Sequence, residues 1–272
     1  CIRDRSGFEY NVGVNMSTIR NRMTKLNGGT PISDGPFRNG SMYLTYTNEG
    51  MPIGAFWGYK TDGLIQTQEQ LNAVKRADFQ PNAELGDVLF VDTNGDGKLD
   101  SSDRCMIGNP IPDIIYGINM GMAWKGFDLN LQFGGTIRNQ IFNAMRYYTY
   151  FPNDITNKDR ALMNYWTPNN TNTDIPRLTA TDVNDNDRFS DMYVENGTYF
   201  RLRNAQLGYT LPASLTQRIK LQKVRFYVSG QNLFTISSYS GMDPEVGQSS
   251  SLSRGIDSVS YTHLRAHETR SN

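Results

Sequence analysis

Hydrophobic and polar residues alternate with period two along five stretches of this chain, the spacing of a β-strand with unlike faces. In "FEYNVGVNM", Phe8, Tyr10, Val12, Val14 and Met16 point one way, and Glu9, Asn11, Gly13 and Asn15 the other. In "IYGINMGMAW", Tyr116, Ile118, Met120, Met122 and Trp124 share one face, and Gly117, Asn119, Gly121 and Ala123 share its opposite. Lys125-Gly126 then makes a tight turn, with glycine supplying a positive φ. Phe127, Leu129, Leu131 and Phe133 resume the apolar face against Asp128, Asn130 and Gln132. "TYFRLRNAQLGYTL" is mixed, setting Arg201 and Arg203 beside Tyr199, Ala205, Leu207 and Tyr209; "KVRFYVSGQNLFTI" aligns Val224, Phe226 and Val228. The pattern predicts strands near 8–24, 114–124, 127–137, 198–211 and 223–236. Helices are few. Thr67 and Gln70 predict a capping box opening a helix over 68–76, and "NKDRALMNYW" predicts another.

The connections sort by length. Lys125-Gly126 is minimal and Pro212 to Gln222 is short, whereas 27–113, 138–197 and 237–258 are long and rich in Asn, Asp, Gly, Ser, Thr and Pro. Short and long alternate strictly along the chain. That is the arrangement of an outer-membrane barrel, with short periplasmic turns and long extracellular loops. Strand length agrees: runs of ten or more approach the 9–11 or so residues of a tilted membrane strand, against about 5–6 in globular sheets. The fold class expected is therefore all-β, a partial transmembrane antiparallel β-barrel. Its polar and glycine face would look into the lumen and its apolar face would meet lipid, with Tyr116, Trp124, Tyr199 and Tyr227 as interfacial girdle residues. The same alternation also suits a soluble β-sandwich with the apolar face as core.

Composition narrows the functions. With 27 basic and 27 acidic residues among 272, no overall charge excess points to nucleic acid or to an anionic surface. No run of 18 apolar residues exists, so the chain has no transmembrane helix. The two cysteines, Cys1 and Cys105, show neither metal spacing nor a disulfide framework. Cys1 reads as the first residue of a cut segment and Cys105 as a small, partly buried side chain. "VSYTHLRAHET" resembles the read-through translation of a sequencing adapter, so 259–272 is expected to be a non-native tail and 1–258 the barrel segment. Both histidines, His263 and His267, lie in that tail. Without it the chain holds 25 basic and 26 acidic residues and no histidine, which removes His-based catalysis. Asp and Glu crowd into polar loops, where solvation explains them, and no catalytic residue is assigned. Trp57, Tyr59, Trp166 and Tyr239 suit either sugar stacking or loop packing.

One loop carries chemistry. "DTNGDGKLDSSD" places Asp92, Asn94 and Asp96 at the first, third and fifth positions of a calcium loop. Gly97 falls sixth, the carbonyl of Lys98 seventh, Asp100 ninth and Asp103 twelfth, where Glu is usual. Calcium with a structural role on the extracellular side is the expectation. An acidic turn held by Asx-type hydrogen bonds is the alternative. "AELGDVLFV" before the loop reads as strand and "IGNPIPD" after it holds two prolines, so the helices flanking a calcium sensor loop are missing.

Several longer stretches carry a family resemblance. "GDVLFVDTNGDGKLDSSDRCMIGNPIPDIIYGINMGMAWKGFDLNLQFGG", "ENGTYFRLRNAQLGYTLP", "VRFYVSGQNLFTISSYSGMDPEV" and "FEYNVGVNMSTIRNRMTKL" resemble the C-terminal barrel of the SusC/RagA-type TonB-dependent outer-membrane transporters. The resemblance runs from Gly7 to Ser258, in order, and departs at Cys105, where Thr or a similar residue is expected. It implies a location in the Gram-negative outer membrane and import of glycan or peptide oligomers without enzymatic activity. It also implies TonB and a SusD-like surface lipoprotein as partners, a plug and TonB box upstream of Cys1, and one further strand beyond the "GMDPEV" loop. A secreted calcium-binding β-sandwich that binds glycans is the competing reading.

Overall fold

The computed structural model describes residues 2–3, 7–150, 158–247 and 250–258. Cys1 and the whole of 259–272 lie outside the described residues. The chain forms two compact units, one built from residues up to 20, 111–139 and 196–244, the other from 21–110, 140–195 and the residues from 245.

The first unit is a wall. Five long strands, Glu9–Thr18, Ile114–Trp124, Phe127–Ile137, Tyr199–Thr210 and Arg225–Ser237, pair antiparallel in chain order, and the short strand Ile2–Arg3 extends the first edge. Pairing in chain order is what alternating short and long connections require. The first strand stops at Thr18 and does not reach residue 24. Ile19 donates the last ladder bond to Asp113 at 2.8 Å, and by Met23 the backbone pairs elsewhere, donating to Met51 O. Lys125 and Gly126 both take positive φ, 46° and 88°, the geometry of a tight turn whose twist matches the strands. A Cβ on Gly126 would lie 2.8 Å from the Thr210 carbonyl, so glycine is required there twice over.

The mixed pattern of 198–211 resolves through a bulge. Gln132 pairs with Asn204 but Phe133 pairs with Leu202, so Arg203 is the extra residue. The parity expected from the sequence therefore holds only on one side of it. Tyr199 and Arg201 lie on the face opposite Ala205, Leu207 and Tyr209, and Phe200 and Leu202 take their place. A second irregularity sets Gln231 opposite Asn204 and Phe234 opposite Leu202.

Register then assembles whole rows. Trp124, Phe127, Tyr209 and Phe226 align at the turn end. Next come Tyr10, Met122, Leu129, Leu207 and Val228, then Val12, Met120, Leu131, Ala205 and Gly230. Val14, Ile118, Phe133, Leu202 and Phe234 follow, then Met16, Tyr116, Gly135, Phe200 and Ile236. These side chains do not enclose a core. Val12 is 55% exposed, Val14 70% and Ile236 64%. That exposure overturns the β-sandwich alternative and leaves an open piece of barrel wall.

The second unit holds the long connections. It contains a four-stranded sheet in the order Ile32–Phe37, Met42–Thr47, Ala55–Gly58, Cys105–Gly108 and a two-stranded pair of Thr61–Leu64 with Val88–Phe90. A three-stranded sheet is ordered Val194–Asn196, Gln140–Asn143, Ile256–Asp257, its last pair parallel. The Gln68–Arg76 helix is capped by Thr67 and Gln70 as expected. Around "NKDRALMNYW" only a 3₁₀ turn, Arg160–Asn164, forms. This unit has a true core. Phe37, Leu44, Phe56, Phe142, Tyr147, Phe189 and Tyr193 pack together, and Tyr59, Leu64, Phe79, Val88, Phe90 and Trp166 form a second cluster. No helix of the described residues is long and apolar enough to cross a membrane.

Candidate functional site

The wall presents two chemically distinct faces. On the polar one, register aligns Asn11 with Gly121, Asn130, Gln206 and Ser229, and Gly13 with Asn119, Gln132, Asn204 and Gln231. The glycines make room: a Cβ on Gly117 would sit 2.7 Å from Asn15 Oδ1, and one on Gly121 would strike Asn11 Oδ1. Neutral amides dominate, so this face offers hydrogen-bond donors and acceptors and carries little net charge. Three arginines on this face are tied by side-chain hydrogen bonds. Arg225 donates to Asp128 at 3.0 and 2.5 Å. The Arg201 guanidinium, nearly buried, donates to Thr235 Oγ1 at 2.9 Å and pairs with Asp243. Arg203 donates to the Tyr199 hydroxyl at 3.1 Å.

The opposite face carries two aromatic bands with aliphatic rows between them. At the turn end stand Trp124, Phe127, Tyr209 and Phe226, with the Phe127 and Tyr209 rings 4.5 Å apart. At the loop end Phe200 stacks on Phe133 at 5.2 Å and on Tyr116 at 6.5 Å. Trp124 and Tyr116 are eight residues apart, about 27 Å along the strand. At a strand tilt of 35–45° that is about 20 Å along the membrane normal, close to the ≈ 25 Å apolar band of such barrels. Of the four girdle residues expected from sequence, Tyr116 and Trp124 take this face. Tyr199 and Tyr227 lie on the polar one, because the bulge shifts Tyr199 and because Tyr227 alternates with Phe226 and Val228. Phe127, Tyr209, Phe226, Phe133 and Phe200 complete the bands, and only register across four strands reveals them.

The loop aromatics are packing residues. Tyr59, Trp166 and Tyr239 are buried, and Trp166 Nε1 donates to Gln66 Oε1 at 2.7 Å. Trp57, half-buried, stacks on Tyr46 at 4.7 Å. A buried polar hub also lies in this unit. Asp87, fully buried, accepts from Arg177 Nε at 2.6 Å, Asn186 Nδ2 at 3.1 Å and Glu84 N at 2.8 Å. Val88 N donates to Asn186 Oδ1 at 2.8 Å, so the hub fastens the strand that enters the acidic loop. Burial raises the Asp182 carboxyl and the Tyr147 and Tyr193 phenols above their usual ranges. Cys105 is half-buried as expected, and burial pushes its thiol up.

In the acidic loop each side chain serves a backbone N–H. Asp92 accepts from Gly95 N at 2.6 Å and Gly97 N at 2.8 Å, Asn94 from Asp96 N at 2.9 Å, and Asp96 from Lys98 N at 2.8 Å. Asp100 accepts from Ser102 N at 2.7 Å. Asp103, fully buried, accepts from Thr93 N at 3.1 Å and Asp100 N at 2.9 Å. Gly97 takes φ 77° at the sixth position, as the spacing requires. The Gly97 N–H, foremost, holds the Asp92 carboxyl below its usual range, and the Ser102 hydroxyl does so for Asp100. Among the described residues no three Asp, Glu, Cys or His side chains converge to hold a metal. As arranged, the loop is a stapled Asx turn. A strand precedes it and a 3₁₀ turn with a further strand closes it, so no sensor helix flanks it.

Comparisons with known proteins follow this geometry. No family model matches the chain. It is 35% identical over 270 residues to TonB-dependent receptor P3 of Formosa agariphila, covering 95% of this chain and 26% of that receptor. It is 27% identical over 255 residues to TonB-dependent receptor SusC of Bacteroides thetaiotaomicron, covering 93% of this chain and 23% of SusC. Among solved structures it is similar to the RagAB peptide transporter, with a TM-score of 0.70 at 25% identity, over 90% of this chain and 25% of that one. The chain thus spans about a quarter of the length of the curated relatives it matches. Those relatives are named as receptors and transporters, not as enzymes.

Proposed function

We propose that this chain is a piece of a SusC/RagA-type TonB-dependent receptor of the Gram-negative outer membrane, and that it is barrel wall and extracellular loop of an energised importer. The cargo is an oligomer of sugar or of amino acids, the energy comes through TonB, and a SusD-like surface lipoprotein is the partner on the loop side. The observation that carries this reading is the wall itself. Two aromatic bands bracket aliphatic rows on an exposed face, and a face of neutral amides and glycines backs them. A wall with lipid on one side and an aqueous path for polar cargo on the other needs that pair of faces. The peptide transporter among the structural neighbours supports peptide cargo, and the relative named TonB-dependent receptor SusC supports the dependence on TonB. The test is uptake by cells carrying the complete receptor, with labelled oligopeptides and oligosaccharides offered separately, with and without TonB. Uptake of one class that stops without TonB is expected. Uptake of both classes that persists unchanged in a receptor deletion defeats the reading.

Calcium at the acidic loop is a separate proposal. Its support is the spacing of Asp92, Asn94, Asp96, Lys98, Asp100 and Asp103 around a left-handed Gly97. The hydrogen bonds of the stapled turn support a loop that also holds without the ion.

A further inference from the structure

The short connections at the turn end carry a charge that import does not use. Residues 211–224 hold Arg218, Lys220 and Lys223 and no Asp or Glu, and Lys125 tips the neighbouring turn. The connection is built, not loose. Leu215 N donates to Pro212 O at 3.0 Å, Lys220 N to Gln217 O at 3.1 Å and Leu221 N to Thr216 O at 3.0 Å. Leu211 N donates to Val224 O at 3.0 Å, closing its base. The two turns lie side by side, since Thr210 N donates to Gly126 O at 2.8 Å.

One carboxylate, Asp128, neighbours this patch and attracts Lys223 of it. Its close ion pair is with Arg225, and among the described residues Lys125, Arg218, Lys220 and Lys223 form no close ion pair. Exposed apolar side chains share this connection with the cations. Leu215 and Leu221 are each 49% exposed and Phe226 is 63% exposed, and Phe226 is the last member of the turn-end aromatic row. The Lys125 ammonium lies 4.7 Å from the centre of the Trp124 ring. Exposed leucine and aromatic side chains beside an excess of cations make the composition of a membrane-interface surface.

We propose that this basic turn surface docks the anionic phospholipid headgroups of the leaflet on the turn side. The inference rests on the barrel reading, which puts the Trp124–Phe226 row at a bilayer interface. Charge complementarity chooses the headgroup: a zwitterionic lipid offers no net charge, whereas each basic residue near an anionic surface strengthens association by roughly fivefold. Continuity with the lipid-facing bands chooses a lipid over a soluble protein. Salt weakens the contact, because screening acts within about 8 Å at physiological ionic strength.

The test uses the complete receptor in phosphatidylcholine vesicles with trace spin-labelled phosphatidylglycerol or spin-labelled phosphatidylcholine. The motionally restricted lipid fraction is read by electron paramagnetic resonance. Phosphatidylglycerol is expected to be preferred by at least about fivefold at low salt, with the preference falling as salt rises. The R218E/K220E/K223E variant should lose it, and K75E/R76E, a reversal of similar size on the Gln68–Arg76 helix, should keep it. Should the triple variant fail to insert, the salt titration of the unmodified receptor carries the test. Equal association of both lipids, or an unchanged preference in the triple variant, overturns the proposal. Displacement of the labelled lipid by millimolar glycerol phosphate also overturns it, by assigning the patch to a soluble anion. A receptor that restricts no lipid at all defeats the barrel reading instead.

Discussion

The wall and the long connections of this chain direct their apolar residues in opposite senses. In the wall unit only Ile111, Tyr199, Leu202 and Tyr239 are buried among the described apolar side chains, while Val12, Val14, Met16, Val228 and Ile236 stand open. In the connections Leu44, Ala55, Phe56, Ile65, Phe142 and Tyr193 are wholly or almost wholly buried. Regular structure is densest where a core is missing. The lesson concerns solvent: a strand whose outward face meets lipid needs backbone pairing and alternation but no second layer, whereas a segment in water must bury its own apolar surface.

The largest effect that tests this contrast is a cavity. Phe56→Ala removes a fully buried ring that lies 6.4 Å from Phe189 in an edge-on pair. It should cost the connection unit about 3–5 kcal/mol. Val14→Ala in the wall, at a side chain 70% exposed, should stay within about 0.5 kcal/mol. Hydrogen exchange of the complete receptor in vesicles reads both at once. Loss of protection confined to 21–110 and 140–195 is expected for Phe56→Ala. Equal losses from the two substitutions break the contrast.

A charge sharpens it from the other side. Leu131 lies in the middle row of the exposed face and Gln132 next to it on the amide face. Leu131→Arg should cost about 2–4 kcal/mol at the bilayer midplane. Gln132→Arg should cost within about 0.5 kcal/mol, as a surface substitution facing water does. Denaturant titration in vesicles measures the difference. If the two variants unfold alike, the assignment of lipid to the Leu131 face is wrong. In detergent-free water neither side chain would tell the faces apart, so the lipid is part of the experiment.

Much of the wall was legible in the sequence, because period-two alternation and connection length act locally. The Lys125-Gly126 turn and the Ile114–Trp124 and Phe127–Ile137 strands stand where the pattern put them. What escaped depends on neighbours. Arg203 is inserted only relative to the Phe127–Ile137 strand, so nothing along 198–211 alone marks it, and Tyr199 was set on the wrong face. The aromatic bands are rows across strands, invisible until register is known. The core of the connections was missed for a third reason. Asn184, Asn186 and Asp87 read as solvated loop residues, yet partners up to 104 positions away bury them. Composition cannot distinguish a polar loop from a polar hub.

A smaller effect lies at the turn. Gly126→Ala forces a left-handed φ of 88° on a residue with a Cβ and brings that Cβ to 2.8 Å from Thr210 O. It should cost about 1–3 kcal/mol. Because the strain sits in the hairpin, the loss should appear in wall unfolding and leave protection of the connection core unchanged. Protection lost in both units would show that the two are not independent in the way the contrast requires.

The smallest effect belongs to the acidic loop, where wall-like exposure and core-like bonding meet. Asp92, Asn94, Asp96 and Asp100 point at backbone N–H groups, and Asp103 alone is buried. The depressed carboxyls of Asp92 and Asp100 fix the sign of the pH response. Each favours the folded loop above the unfolded value of about 3.9, and that contribution disappears as pH falls through the lower folded value. Loop amides should therefore exchange faster below about pH 4 while the core of the connections holds. Asp92→Ala should reproduce that loosening at neutral pH, since Gly95 and Gly97 lose their acceptor. Calcium adds an independent axis. With Asp103 shorter than the usual Glu, a site of the weak extracellular class is expected, with Kd about 10⁻⁴–10⁻³ M. Millimolar calcium should slow loop exchange in the unmodified receptor and leave the Asp92→Ala, Asp96→Ala variant unaffected. Exchange that is indifferent to calcium in both proteins, with the acid loosening intact, removes the ion and leaves the hydrogen-bonded turn as the whole account.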